Sequence, residues 1–399
     1  MRDDAMHDDP ERSLGEPDFA TLRQRAFNLR WATAGEGVIP LTAADPDFPA
    51  PRAAVDAIAR YLASPHLCYG PPAGLPEFRD AVAERFARDA SATISPQRVI
   101  AANSAASAIA LIAKRLLQPG DEVVIQDPVD FLVAESARRA GASLRMWRPD
   151  GGAFTLRGLE AAVTDRTRVV SVCHPHNPLG TLWNASEVAA IAAFCSQRGI
   201  RVLSDEVWSD VVLDEAQFAS FARHAHEACA PWIVYGLSKG YGLAGLRIGA
   251  VIAPNETEAA GFQLDSGFDH TIEGAATLSQ IGAAGALRDA QEWRHDFLRH
   301  CSRQRDVAVA RLSRLRGVRI AHPPRATFVL FVDVSQTGVA EDELSRRIEQ
   351  RARVRVVPGS PRWFGPGAAG HIRLSLATTS SILDEALTRI EAAWTEITG

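Results

Sequence analysis

The feature that most constrains this chain is a rhythm. Beyond residue 99, short β-branched runs at 123–126, 143–147, 169–173, 201–204, 233–235 and 250–253 alternate with amphipathic stretches of helical length. A parallel strand pair needs a long crossover, and a helix in that crossover covers one face of the sheet. The alternation therefore predicts an α/β chain with a large, doubly wound, mostly parallel sheet covered on both faces. Ligands of such sheets bind beyond the carboxyl ends of the strands, so chemistry is sought in the loops that follow each run.

The flanks carry a different pattern. Residues 1–17 are polar and acidic and predict a disordered tail. A short helix over 17–31, a loop at 32–37 and a strand near 38–41 predict an N-terminal arm, 18–48, that joins a smaller domain. Helical spacing recurs at 51–60 and 75–88, on either side of Tyr69-Gly70-Pro71-Pro72, which begins a large domain over 49–288. After residue 288 come a helix at 293–315, strands at 318–321 and 328–334, a helix at 341–351, strands near 355–358 and 372–377, and a last helix. This predicts a smaller α+β domain over 289–399. A chain of 399 residues, 46% hydrophobic, exceeds one ordinary core, in keeping with two lobes.

Composition excludes several function classes. A net charge of -5 argues against a nucleic-acid-binding surface and leaves small molecules as the favoured partners. The cysteines, Cys68, Cys173, Cys195, Cys229 and Cys301, are scattered with no C-x-x-C pair, which argues against a disulfide framework or structural zinc. The first residues lack a basic start and an apolar stretch, and no 18-residue apolar run occurs. A cytoplasmic protein with no membrane contact is expected.

The chain has only two lysines, Lys114 and Lys239. Lys239 stands in a glycine-rich loop after the 233–235 run, with Arg247 eight residues on. An amine among small residues can be desolvated, which lowers its pKa and frees it to condense with an aldehyde, while a nearby arginine can hold a phosphate. Taken alone, such a loop more often carries an ordinary surface lysine. His174 and His176 have no further ligands nearby in sequence and read as loop or core histidines, with no metal.

The stretch Tyr235-Gly236-Leu237-Ser238-Lys239-Gly240, continued by Gly245-Leu246-Arg247-Ile248-Gly249, resembles the Schiff-base signature of the class I/II aminotransferase superfamily, fold-type I pyridoxal 5'-phosphate enzymes. Further landmarks follow in order from about Trp31. The resemblance implies pyridoxal phosphate as cofactor, Lys239 as its covalent anchor and general base, and an amino acid as substrate. It implies that Asn177, in Asn177-Pro178-Leu179-Gly180, donates to the ring oxygen, and that Asp205, in Ser204-Asp205-Glu206-Val207-Trp208, pairs with the ring nitrogen. Trp208 also falls at the cofactor. The phosphate is expected at the helix start Ser104-Ala105-Ala106, completed by Ser238 and Arg247. Tyr69 resembles a family tyrosine that reaches the phosphate of the neighbouring subunit, which implies a homodimer with shared sites. Arg373, in His371-Ile372-Arg373-Leu374-Ser375, matches the arginine that binds the substrate carboxylate, with Ala44 and Asn177 beside it. The segment Pro40-Leu41-Thr42-Ala43-Ala44-Asp45-Pro46-Asp47-Phe48 is similar, more weakly, to the opening of the cystathionine β-lyase-like branch.

Three positions depart from the family pattern. Gly236 replaces a phosphate-binding serine and Trp208 a tyrosine; Asp130 stands where an aromatic stacks on the ring, and is expected there at the substrate, as an acid or base on its side chain or as a partner for a cationic group, unless the register slips, Phe131 stacks and Asp130 faces solvent. Together with the lyase-like opening these predict β- or γ-elimination, replacement or cyclisation in specialised amino-acid biosynthesis. Ordinary amino transfer to a 2-oxo acid is the alternative. A non-catalytic regulator that binds pyridoxal phosphate is a further one, although the acidic stretch before Trp31 is too short for a DNA-binding domain.

Overall fold

The computed structural model describes residues 10–270 and 272–399. Seven strands form the large sheet in the order Val99–Ala102, Gly249–Ile252, Trp232–Gly236, Arg201–Asp205, Thr167–Cys173, Glu122–Gln126, Ser143–Trp147. All neighbours are parallel except Gly249–Ile252, which runs antiparallel to both strands beside it. This is the α/β, mostly parallel sheet that the alternation predicts.

Side chains along each strand alternate between two cores. Val99 and Ala101 join one cluster and Ile100 and Ala102 the other; Val170 and Val172 face one side, Val169 and Cys173 the opposite. Both faces are dry because helices cover both. That explains why the strands read as unbroken apolar runs.

A three-stranded antiparallel sheet, Val357–Pro358, His371–Ser375 and Val329–Asp333, lies with the helices Gln291–Leu312, Glu341–Ala352 and Ser380–Thr398 around a third cluster. The arm reaches this unit through Ile39–Pro40, which pairs in parallel with Val354–Arg355. Arg30 is buried against Asp47, and Trp31 Nε1 donates to the same carboxylate at 2.7 Å, which locks the arm's two limbs together.

Several expectations need correction. Residues 1–9 of the predicted disordered tail lie outside the described residues, but Pro10–Leu14 is helical, with Leu14 buried and Glu11 accepting from Ser380 N at 3.0 Å. The predicted strand at 318–321 is only a single bridge between Arg319 and Asp333, closed off by Pro323 and Pro324. The predicted strand at 355–358 is two short strands that belong to different sheets.

Candidate active site

The loops at the carboxyl ends of the parallel strands converge on one cavity of about 450 Å³. Strand Val99–Ala102 delivers Ser104, whose Oγ caps the helix Ala105–Leu116 by accepting from Ser107 N at 3.1 Å. Thr167–Cys173 delivers Asn177, Arg201–Asp205 ends on Asp205, and Trp232–Gly236 leads into Ser238 and Lys239. Glu122–Gln126 leads to Asp130. Arg373 comes across from the small sheet. All of these, with Ala44, Ala105, Ala106, Phe131, Trp208 and Arg247, line the cavity. Tyr69 does not: its side chain is 94% exposed at the surface.

Lys239 is half-buried, and its Nζ donates to the carbonyl of Ala44 at 2.6 Å. Desolvation lowers its pKa, opposed by the carboxylates of Asp45, Asp130 and Asp205 and reinforced by Arg373. Asp205 accepts from Val207 N at 3.1 Å, and burial pushes its carboxyl up to about 7. A cation at that carboxylate would reverse the shift. Arg373 donates to Asn177 Oδ1 at 3.2 Å and to the carbonyl of Thr42 at 3.1 Å, and its guanidinium lies 4.9 Å from the Phe364 ring centroid. Its Nε is a buried donor without a partner. Desolvation brings its pKa down to about 10, so it stays cationic at neutral pH.

The residues fit pyridoxal phosphate. The first turn of the helix Ala105–Leu116 offers unpaired backbone N–H groups to a dianion, and Arg247 lines the same cavity with a left-handed backbone (φ 51°). A non-glycine residue in that conformation costs about 1 kcal/mol, a strain that functional positions commonly carry. A buried carboxylate, an amine of lowered pKa and an orphaned guanidinium N–H supply the remaining contacts. By contrast Lys114 lines a more open depression of about 830 Å³ with Arg115 and Asp265, and none of the cavity residues lies there.

Residues 36–390 match the family model for aminotransferase class I and II. The chain belongs to that family. It is 31% identical over 386 residues to a probable aspartate/prephenate aminotransferase of Aquifex aeolicus, covering 94% of this chain and 95% of that one. Identity is 30% to an aspartate aminotransferase of Pyrococcus horikoshii, over 91% and 92% of the two chains. The crystal structure of an aromatic aminotransferase from Pyrococcus horikoshii superposes with a TM-score of 0.83 at 28% identity, over 91% and 97% of the chains. The enzyme is thus a transferase of a pyridoxal-phosphate-dependent family with the fold of the fold-type I aminotransferases.

These relatives favour ordinary amino transfer over the elimination, replacement or cyclisation expected from the sequence. The physical reason is that two of the three departures have packing explanations. A Cβ at Gly236 would meet Val207 Cγ2 at 3.1 Å and Ala105 Cβ at 3.5 Å, so the site leaves little room for serine. Trp208 is buried in the core, edge-on to Phe328 at 4.9 Å. His174 and His176 are core residues: His174 contacts the Ala219 carbonyl at 3.1 Å and stacks on Trp183, and burial drives both imidazoles down to about 3.

Sequence reasoning missed Asn28, Leu29, Cys173, Trp363 and Phe364, which also line the cavity. The aromatic pair inside a glycine- and proline-rich loop was the available signal, because nothing else in that loop requires large apolar groups. The open choice between Asp130 and Phe131 resolves into two positions. Asp130 turns toward Asn177, whereas Phe131 is 41% exposed and edge-on to Trp363 at 6.1 Å.

Proposed function

We propose that the enzyme exchanges the amino group of an α-amino acid for the oxo group of a 2-oxo acid, with Lys239 as its catalytic residue. When bound, pyridoxal phosphate supplies an aldehyde that condenses with amines and a ring that withdraws electrons from the substrate Cα. Ser104, Ala105, Ala106, Ser238 and Arg247 would hold its phosphate, Asp205 its ring nitrogen, Asn177 its ring oxygen, with Trp208 and Phe131 beside it. Lys239 would hold its aldehyde carbon. Arg373 orients the substrate carboxylate through its free Nε and fixes the Cα hydrogen toward Nζ of Lys239. The lowered pKa of that amine raises its neutral fraction, so Nζ accepts the Cα proton and returns it.

The observation that carries this reading is the convergence of Lys239, Asp205, Asn177 and Arg373 from four separate segments on one cavity. In the same reading the enzyme is a homodimer, since Tyr69 projects from its own surface and is free to complete a second copy's phosphate site. Five free cysteines, four of them buried, support a cytoplasmic setting. The test is one turnover without a 2-oxo acid acceptor. Amino transfer yields one equivalent of the donor's 2-oxo acid and no free ammonia, and Lys239→Ala abolishes it while Lys114→Ala does not. Stoichiometric ammonia would sink the proposal.

A further inference from the structure

Five charged side chains line the cavity: Asp130, Asp205, Lys239, Arg247 and Arg373. The amino-transfer reading employs the last four. Asp130 is left over. Its Oδ1 accepts from Leu132 N at 3.1 Å and so caps the helix Phe131–Arg139, while Oδ2 accepts from Asn177 Nδ2 at 3.2 Å. Among the described residues it enters no ion pair with a lysine, arginine or histidine.

We infer that Asp130 receives a cationic group on the substrate side chain, so that the enzyme's amino donors end in an ammonium, guanidinium or amidinium. The inference rests on the amino-transfer reading for the position of the substrate carboxylate at Arg373. Asn177 stands between the two charges, donating to Asp130 and accepting from Arg373 at 3.2 Å. A substrate anchored at Arg373 therefore lies within a side chain's length of Asp130. In the free cavity the charge of Asp130 acts on Lys239 and Arg373. Once Lys239 is taken up by the cofactor and Arg373 by the substrate carboxylate, the closed cavity leaves Asp130 without a counter-charge, and a ligand cation with N–H donors compensates it. The rings of Phe131 and Trp363 line the same cavity, and aromatic faces attract cations.

A dicarboxylic donor meets the opposite environment. Once Arg247 and Arg373 are engaged, no guanidinium lining the cavity remains for a second carboxylate. Arg362 lies over the Trp363 ring at 4.9 Å and does not line the cavity. Helix capping alone does not account for the aspartate, because asparagine and serine cap as well without bringing a charge into the site.

The test is an equilibrium titration of the cofactor-loaded enzyme with L-arginine, L-leucine and L-aspartate, followed by cofactor absorbance. This reads binding whether or not amino transfer follows, and the 2-oxo acid formed from each donor is measured separately. Failure of the transfer reading is thereby distinguished from failure of this one. Arginine should bind at least tenfold more tightly than leucine or aspartate. Asp130→Asn keeps the cap and should weaken arginine tenfold or more while changing leucine less than twofold; Asp130→Ser should give the same pattern. Tighter aspartate binding, equal arginine and leucine binding, no shift with any of the three, or equal losses in Asp130→Asn for arginine and leucine would each overturn the inference.

Discussion

Gly249→Ala probes the phosphate cradle with a single methyl group. A Cβ at Gly249 would stand 2.8 Å from N of Ala105, 2.9 Å from C of Ser104 and 3.0 Å from O of Tyr235. All three are backbone atoms, so no side-chain rotation relieves the contact. Ordinary contact begins near 3.4 Å, which obliges the helix start to retreat by about 0.6 Å from the strand. The retreating groups are the N–H donors assigned to the phosphate. Overpacking of this kind costs about 1–3 kcal/mol, equivalent to roughly a 5- to 150-fold loss of affinity if it falls on the cofactor-bound state. Titration of the cofactor-free enzyme with pyridoxal phosphate measures that loss, and thermal unfolding without cofactor measures the share that falls on packing. Gly245→Ala is the control, since a Cβ there meets nothing within 4 Å. Cofactor affinity in Gly249→Ala within twofold of wild type would refute the assignment of this helix start to the phosphate.

Arg373→Ala should weaken amino-acid binding by about 2–5 kcal/mol and leave cofactor affinity unchanged; parallel losses in the two titrations would contradict its role. Burial raises the Asp205 carboxyl from 3.8 to about 7 in the cofactor-free protein, so between about pH 4 and 7 the unfolded chain ionises first and stability falls as pH rises. Cofactor-free Asp205→Asn should therefore unfold at a higher temperature than wild type at pH 8, with an advantage that disappears toward pH 4. A pH-independent advantage would show that burial of this carboxyl is not the cause. Asp210→Ala removes the buried partner of Arg85 Nε (2.8 Å) and of the Tyr235 hydroxyl (2.6 Å). It should destabilise the fold by about 3–5 kcal/mol in denaturant titration, because it strands a buried guanidinium.

The large sheet was legible because strands buried on both faces are apolar at every position, and the runs at 143–147 and 201–204 fall within a residue of the observed strands. Order at Pro10–Leu14 was not legible, because it comes from distant partners: Leu14 fills a core position and Ser13 bonds to Asp296. Nor could local pattern split 355–358 between two sheets, since the register is set by strands at Ile39 and Arg373. In the site, motifs that resemble the family's marked Lys239 in a glycine-rich loop, Asn177 in a turn and Asp205 at a strand end. The wall formed by Leu29, Trp363 and Phe364 depends on loops meeting in space. The buried Arg85 and Asp210 pair behind the lysine loop had no sequence signal, because burial of a charge is decided by its surroundings.

The departures from the family pattern differ in kind, and that difference bears on what the enzyme accepts. Gly236 and Trp208 sit where neighbouring atoms leave little room or fill a core, so these departures change packing beside the cofactor and add no charge at the substrate. Asp130 adds a full negative charge to the cavity and is tied to Arg373 through one amide. A packing change can be compensated by small shifts of neighbours. With Lys239 on the cofactor and Arg373 on the substrate carboxylate, that charge is left to be balanced by a cation on the substrate. The altered ring surroundings are therefore compatible with the amino transfer named for the relatives, while the added carboxylate is the feature from which a cationic amino donor, in place of aspartate, is inferred.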